Sequence, residues 1–188
     1  MRRSIRLLVL VVTAAVSTFA LITPASAAPH CGITWGSQAK TASVPVGPGG
    51  GWVTDVRSGR HACFDRLVVD LVGVTRTGYD VRYVRQAVRD ATGDPIPLRG
   101  GAAVQIVVGQ PSYDAQGEAT YQPADPSELV DTSGYGTFRQ VASAGSFEGT
   151  TSIALGVRAR LPIRVFTVDG PGASVPGLRL VIDVAHRW

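Results

Sequence analysis

The chain has 188 residues, with 18 Lys or Arg against 14 Asp or Glu and a formal charge of +4 at pH 7. That length suffices for one domain with a proper core, and its 22 Gly and 12 Pro stay below the share expected of a disordered chain. Residues 1–27 hold three arginines and no acid, which leaves 15 basic against 14 acidic residues beyond them; that balance excludes the strongly basic footprint of a nucleic-acid-binding protein.

The first element is "MRRSIRLLVLVVTAAVSTFALITPASA". A basic start (Arg2, Arg3, Arg6), an apolar stretch from Leu7 to Ile22 and then Ala25-Ser26-Ala27 follow the order of a secretory signal peptide, cut after Ala27. As a helix the apolar stretch would span about 24 Å, short of the roughly 30 Å hydrocarbon core, so a cleaved leader is expected over a membrane anchor. Cys31 follows His30 where lipid attachment would need a small residue. The expected product is released, extracytoplasmic and associated with the cell envelope.

"SVPVGPGGGW" (43–52) reads as a flexible lead-in, so segment 28–51 is expected to precede a compact domain over 52–188. The chain's two cysteines, Cys31 and Cys63, both lie in the exported part, and a disulfide between them would tether the lead-in. The alternative, Cys63 as a nucleophile with His61 as its base, lacks a third group to orient the pair. Zinc would want four ligands, and the other histidines are only His30 and His186, so neither metal nor cofactor is expected.

"RLVVDL" (66–71) alternates, with Leu67, Val69 and Leu71 on one side and Arg66, Val68 and Asp70 on the other, the period of a strand. The phrase returns as "RLVIDV" (179–184), where Leu180, Ile182 and Val184 alternate with Arg179, Val181 and Asp183; two copies suggest a duplicated β unit. Asp70 and Asp183, on the outward side, are expected to pair with arginines such as Arg66 or Arg179 on neighbouring strands. His186 and Trp188 continue the inward register and predict a packed strand end.

Between the copies, "YVRQAVRDATG" (83–93) has helical spacing at Val84, Ala87 and Val88, enough for one short helical turn. "AAVQIVVGQ" (102–110) reads as a strand, and residues 137–157 as two strands around a turn from Gly145 to Gly149. The fold class that follows is all-β: an antiparallel β-sandwich with two related halves and at most one short helix.

Three features are candidates for function. In "VRARLPIRVF" (157–166) Arg158, Arg160 and Arg164 fall on one face, either the wet side of a sheet or a stripe whose forks grip carboxylates or phosphates of wall polymers. The stretch 109–136 is longer than a simple connection. It carries Tyr113, Tyr121 and Tyr135 with Asp114, Glu118, Asp125, Glu128 and Asp131, which either stack a sugar and accept its hydroxyls or form a polar surface loop with a turn of helix near 127–130. Glu148 at the 145–149 turn has no partner carboxylate for glycosidic cleavage, and no hydrolase, zincin or phosphate-loop motif is present.

The run "RLVVDLVGVTRTGYDVRYV" (66–84), together with "IRVFTVDGPGASVPGLRLVIDV" (163–184), resembles the AMIN domain, a β-sandwich module found ahead of the catalytic domains of exported cell-wall amidases and in pilus secretins. The longer chain is more similar to the stand-alone, exported AMIN-like proteins of actinobacteria. The resemblance implies a non-catalytic protein whose partner is peptidoglycan or an associated wall polymer. The alternatives are a small secreted hydrolase acting on wall glycan or peptide, and a scaffold that docks another exported protein along a sheet edge.

Overall fold

The computed structural model describes residues 30–43, 50–170 and 175–188; the signal peptide expected over 1–27 lies outside the described residues. Eleven strands run in chain order: β1 Lys40–Ala42, β2 Trp52–Arg60, β3 Phe64–Val72, β4 Tyr79–Val84, β5 Ala87–Val88, β6 Pro95–Ile96, β7 Ala102–Val108, β8 Phe138–Phe147, β9 Thr150–Val157, β10 Ile163–Asp169 and β11 Gly177–Ala185. They form a five-stranded sheet in the order β1-β4-β7-β9-β8, a four-stranded sheet in the order β10-β11-β3-β2, and the small hairpin β5-β6. Every pairing is antiparallel.

Period-two alternation explains why the two sheets close on one another. From the four-stranded sheet Val53, Leu67, Val69, Leu71, Leu180 and Ile182 are buried, and from the five-stranded sheet Val81, Val104, Ile106, Val141, Ile153 and Leu155 meet them in one core. Each apolar side chain fully removed from water contributes about 1.5–3 kcal/mol, which is what holds the layers face to face. The two copies of the repeated phrase are neighbours in one sheet, β3 against β11.

Residues 83–93 form no helix. Val84 ends β4, Ala87 and Val88 make β5, and the chain turns through Ala91 and Gly93 at φ 62° and 74° into β6. The Gln105 side chain takes the place of a neighbouring strand, accepting from Val88 N and donating to Val88 O. The hairpin then packs Ala87 and Ile96 on Ala142, Ala144 and Ala154, outside the main core. Three apolar residues at helical spacing do not outweigh this tertiary packing.

Two glycines are required by geometry. The β8–β9 connection is a two-residue turn, Glu148 and Gly149 with φ of 47° and 82°, the mirror-image turn that suits strand twist. At Gly156 a Cβ would lie 2.1 Å from the Arg99 carbonyl oxygen, because residues 98–101 cross directly over β9.

Cys31 and Cys63 form a disulfide. Residues 30–42 thereby become a strap between the sheets: Ile163 N donates to Gly36 O, Arg160 Nη2 donates to Ser37 O, and β1 extends the five-stranded sheet. The sequence separation of 32 predicts that replacing both cysteines by serine lowers the unfolding free energy by about 3–4 kcal/mol on the chain-entropy account, read from chemical denaturation midpoints.

Candidate ligand-binding face

The sequence-expected arginines do not share one strand. Pro162 interrupts the run, so Arg158 and Arg160 lie in the connection between β9 and β10, and Arg164 alone is on β10. Arg158 staples strand ends together, with Nε donating to Gly136 O and Nη2 to His186 O. Arg160 lies over the Tyr83 ring, 4.8 Å from its centroid. Arg164 donates to Asp183.

The three loop tyrosines attach to three different parts of the fold. The Tyr113 hydroxyl accepts from Gly149 N at the β8–β9 turn, Tyr121 packs half-buried against the core, and the Tyr135 hydroxyl meets Ser58 Oγ at 2.7 Å while its ring stacks on Phe138. The acids of the loop serve its own geometry: Asp114, Asp125 and Asp131 accept from backbone N–H groups two residues on, and Glu128 pairs with Arg99. Residues 127–130 form no helical turn, because Leu129 N donates to Val141 O and Ser143 N to Pro126 O along the edge of β8. At the other sheet Pro111 O accepts from Val53 N, and Thr120 Oγ1 donates to Val53 O, so the long loop covers an edge of each sheet.

The polar residues around the start of β3, His61 and Asp65, have opposite placements. His61 is exposed and stacked on Phe64 with centroids 4.5 Å apart. Asp65, by contrast, falls on the inner face with Leu67 and is fully buried. Its Oδ2 accepts from the backbone N of Thr137 and Phe138 on the opposite sheet, at 2.5 and 3.0 Å, and Oδ1 lies 3.0 Å from His186 Nε2. Gly136 lies against that imidazole, leaving room for backbone alone. Asp65 thus clamps the two sheets at one end, a role the sequence reading did not assign. His186 packs inward as expected, but Trp188 is 60% exposed because β11 ends at Ala185.

The outer face of the four-stranded sheet holds a second kind of order. Strand register sets three rows across β10, β11, β3 and β2: Arg164, Asp183, Arg66, Gly59; then Phe166, Val181, Val68, Arg57; then Val168, Arg179, Asp70, Asp55. Because both copies of the repeat place Asp four residues after Arg, antiparallel pairing makes Arg66 oppose Asp183 and Arg179 oppose Asp70. Each carboxylate also takes a second arginine from an outer strand. Asp183 accepts from Arg66 Nε and Nη2 at 2.7 and 3.0 Å and from Arg164, while Asp70 accepts from Arg57 Nε at 2.6 Å and Arg179 Nε at 3.2 Å. The carboxylates are buried, with Asp183 side chain 0% and Asp70 7% exposed, under arginines that remain 26–46% exposed.

This arrangement fixes the arginines without using them up. A guanidinium has five N–H donors, and Arg57 and Arg66 spend the Nε/Nη2 side on aspartate. Among the described residues Nη1 of Arg57, Arg66 and Arg164 meets no protein acceptor, so their end-on forks face outward. The hydrogen bond to Asp70 raises the pKa of Arg57 above its ordinary value, and its charge is permanent. Arg66 and Arg164 are further held flat by ring faces, with Arg66 5.1 Å from the Phe64 centroid and Arg164 4.7 Å from Phe166 and 5.5 Å from Trp35. Between the two triads lies an open groove of about 320 Å³ floored by Val68 and Val181, with Arg57, Arg66, Arg179 and His61 around it.

Arg66 and Arg179 were legible as ion-pair partners of the aspartates, but the free Nη1 of Arg66, the bond from Arg179 Nη1 to Asp169 O and the participation of Arg57 were not. The signal was the repeat itself, once β3 and β11 are taken as antiparallel neighbours.

The fold is an all-β sandwich module whose outer sheet face carries pinned arginines. The AMIN-like domain family model matches residues 51–186, and the chain belongs to that family. AMIN-like domains are cell-wall-related binding domains, generally non-catalytic and typical of extracytoplasmic proteins. Comparison with curated proteins and with solved structures found no match. Among the described residues no helix is long and apolar enough to cross a membrane. The family match begins at Gly51, so Cys31, Trp35 and β1 lie ahead of it.

Two measurements check these placements. Asp183→Asn removes the shared acceptor of two arginines and is expected to cost about 2–3 kcal/mol, whereas Arg66→Lys leaves Asp183 paired with Arg164 and costs less, by thermal and denaturant unfolding. Burial raises the phenol pKa of both Tyr83 and Tyr121, with Asp55 adding to the shift that brings Tyr121 to about 12. In an alkaline absorbance titration Tyr83 and Tyr121 should ionise above the ordinary phenol value near 10. Since the folded values lie above the unfolded one near 10, their contribution is intact below pH 10 and is lost as pH rises towards 12.

Proposed function

We propose that the protein is secreted by a cleaved leader over residues 1–27 and binds an anionic cell-wall polymer, peptidoglycan or a polymer attached to it, without turning it over. The binding surface is the outer face of β10-β11-β3-β2. The observation that carries this reading is the pair of triads, Arg66–Asp183–Arg164 and Arg57–Asp70–Arg179, whose buried carboxylates hold part-exposed guanidinium groups in place on the sheet surface. A side chain already held in its binding rotamer loses little entropy on meeting a carboxylate or phosphate, and the fork matches both geometries. Of the arginines singled out in the sequence, Arg164 belongs to this face; Arg158 and Arg160 act at strand ends.

The non-catalytic reading is supported by how the acids are employed. Asp65, Asp70 and Asp183 are all engaged in structural pairings, and Glu148 occupies a strained turn position chosen by strand geometry.

The test incubates the mature protein with labelled, purified cell wall and measures both sedimented protein and soluble fragments. Sedimentation without fragments is expected. The double variant Arg57→Gln/Arg66→Gln, in which Asp70 and Asp183 each keep one arginine, should bind at least about tenfold more weakly, as loss of charge-assisted hydrogen bonds implies. Unchanged retention of that variant overturns the arginine face as the site, and release of wall fragments by the wild type overturns the non-catalytic reading.

A further inference from the structure

Resting on that reading of the outer face, we infer that the ligand is a linear polymer carrying at least two oxyanions, one for each triad, with an uncharged stretch between them lying over Val68 and Val181. Asp183 and Asp70 are displaced by one strand and four residues, since Asp183 opposes Arg66 and Asp70 lies four residues further along β3. At about 3.4 Å per residue and 4.8 Å per strand, the backbone positions of the two aspartates are about 14 Å apart. The two guanidinium pairs are therefore separate: Arg66 and Arg164 around Asp183 at one end, Arg57 and Arg179 around Asp70 at the other.

Each triad carries two permanent cations against one carboxylate. Across the three rows Asp55 is the further acid, exposed on β2 directly opposite Asp70, so the Arg57 and Arg179 end holds two cations against two carboxylates and the net positive charge stays at the Arg66 and Arg164 end. The floor between the triads is apolar and offers little hydrogen bonding: Val68 and Val181 are buried, Val168 adds an exposed apolar side chain, Gly59 has no side chain, and Ser58 Oγ is engaged by Tyr135, with Arg57 and His61 at the margin. A single anion can satisfy one end and leaves the other unused. Two anions on one backbone engage both, and the second contact forms at the high effective concentration set by the first. Affinity is then governed by length and anion spacing, with a threshold near the separation of the triads. The oxyanion is shared chemistry between uronic-acid or muramic carboxylates and the phosphodiesters of polyol phosphates.

The experiment titrates the mature chain calorimetrically, at constant low ionic strength, with two series of defined length: oligogalacturonates of one to eight units and glycerol phosphate oligomers of one to eight units. In at least one series, affinity per molecule should rise by tenfold or more beyond the rise in charge count once the oligomer spans about 14 Å, and then level off; the series that shows the step identifies the oxyanion. Arg57→Lys and Arg66→Lys keep the charge, remove the fork and leave each aspartate an arginine. Each alone should bring long-oligomer affinity down to that of the short oligomer. A monomer that binds as well as the octamer, affinity that tracks charge count without a step, or failure of both series to bind overturns the inference. Retention of the wild type on cell wall under any of these results leaves the wall-binding reading standing; loss of that retention removes both.

Discussion

The antiparallel pairing of β3 with β11 is the interaction on which the architecture depends. Leu67, Val69 and Leu71 of one strand and Leu180 and Ile182 of the other supply one wall of the core. The same register on the opposite side brings Arg66 to Asp183 and Arg179 to Asp70. A slip by one residue would turn the leucines to solvent and the aspartates into the core, so core and surface specify the register together. Ion pairs with exposed arginines contribute modestly to stability, but here the acceptors are buried, and an unpaired buried carboxylate would be costly. The polar side of the sheet is thus constrained nearly as tightly as the apolar side.

That constraint connects stability to the proposed binding face. Each aspartate recruits a second arginine from a flanking strand, Arg164 on β10 and Arg57 on β2, so all four strands contribute to one positively charged surface. Arg57, Arg66 and Arg164 spend one edge of the guanidinium on aspartate and keep Nη1 without a protein acceptor among the described residues, which separates the donors that stabilise the sheet from those the proposed ligand would meet. Trp35 reaches this surface from the strap anchored by the disulfide, outside the family match. The ends of the sandwich are closed by different means. Asp65 bridges the sheets at one end, and the loop over 109–136 occupies strand edges that would otherwise invite a further strand.

Much of this was readable beforehand, for identifiable reasons. β3, β7, β8, β9 and β11 declare themselves because alternation at period two is a local property of a strand with one buried face. The Arg–Asp pairs were legible because the repeat carries its own spacing. Residues 83–93 misled because a helix and a short hairpin can share three apolar positions, and packing on Ala142 and Ala144 decided between them. The arginines of 157–166 misled because alternation was extended through Pro162, where the strand is interrupted. The tyrosines of the long loop are close in sequence, yet each attaches to a different partner, since a loop without a repeating backbone has no periodicity from which to infer a common face.

By itself the sequence determined the strand content, the cysteine pair, the leader signature and the complementarity of the two Arg–Asp phrases, because each depends on residue identity and short-range spacing. Tertiary structure alone decided that both phrases lie side by side in one sheet, that Arg57 and Arg164 join them, and that Asp65 points inward to the facing sheet. Those outcomes depend on which strands become neighbours, and that choice is made by burial of a core assembled from segments more than a hundred residues apart.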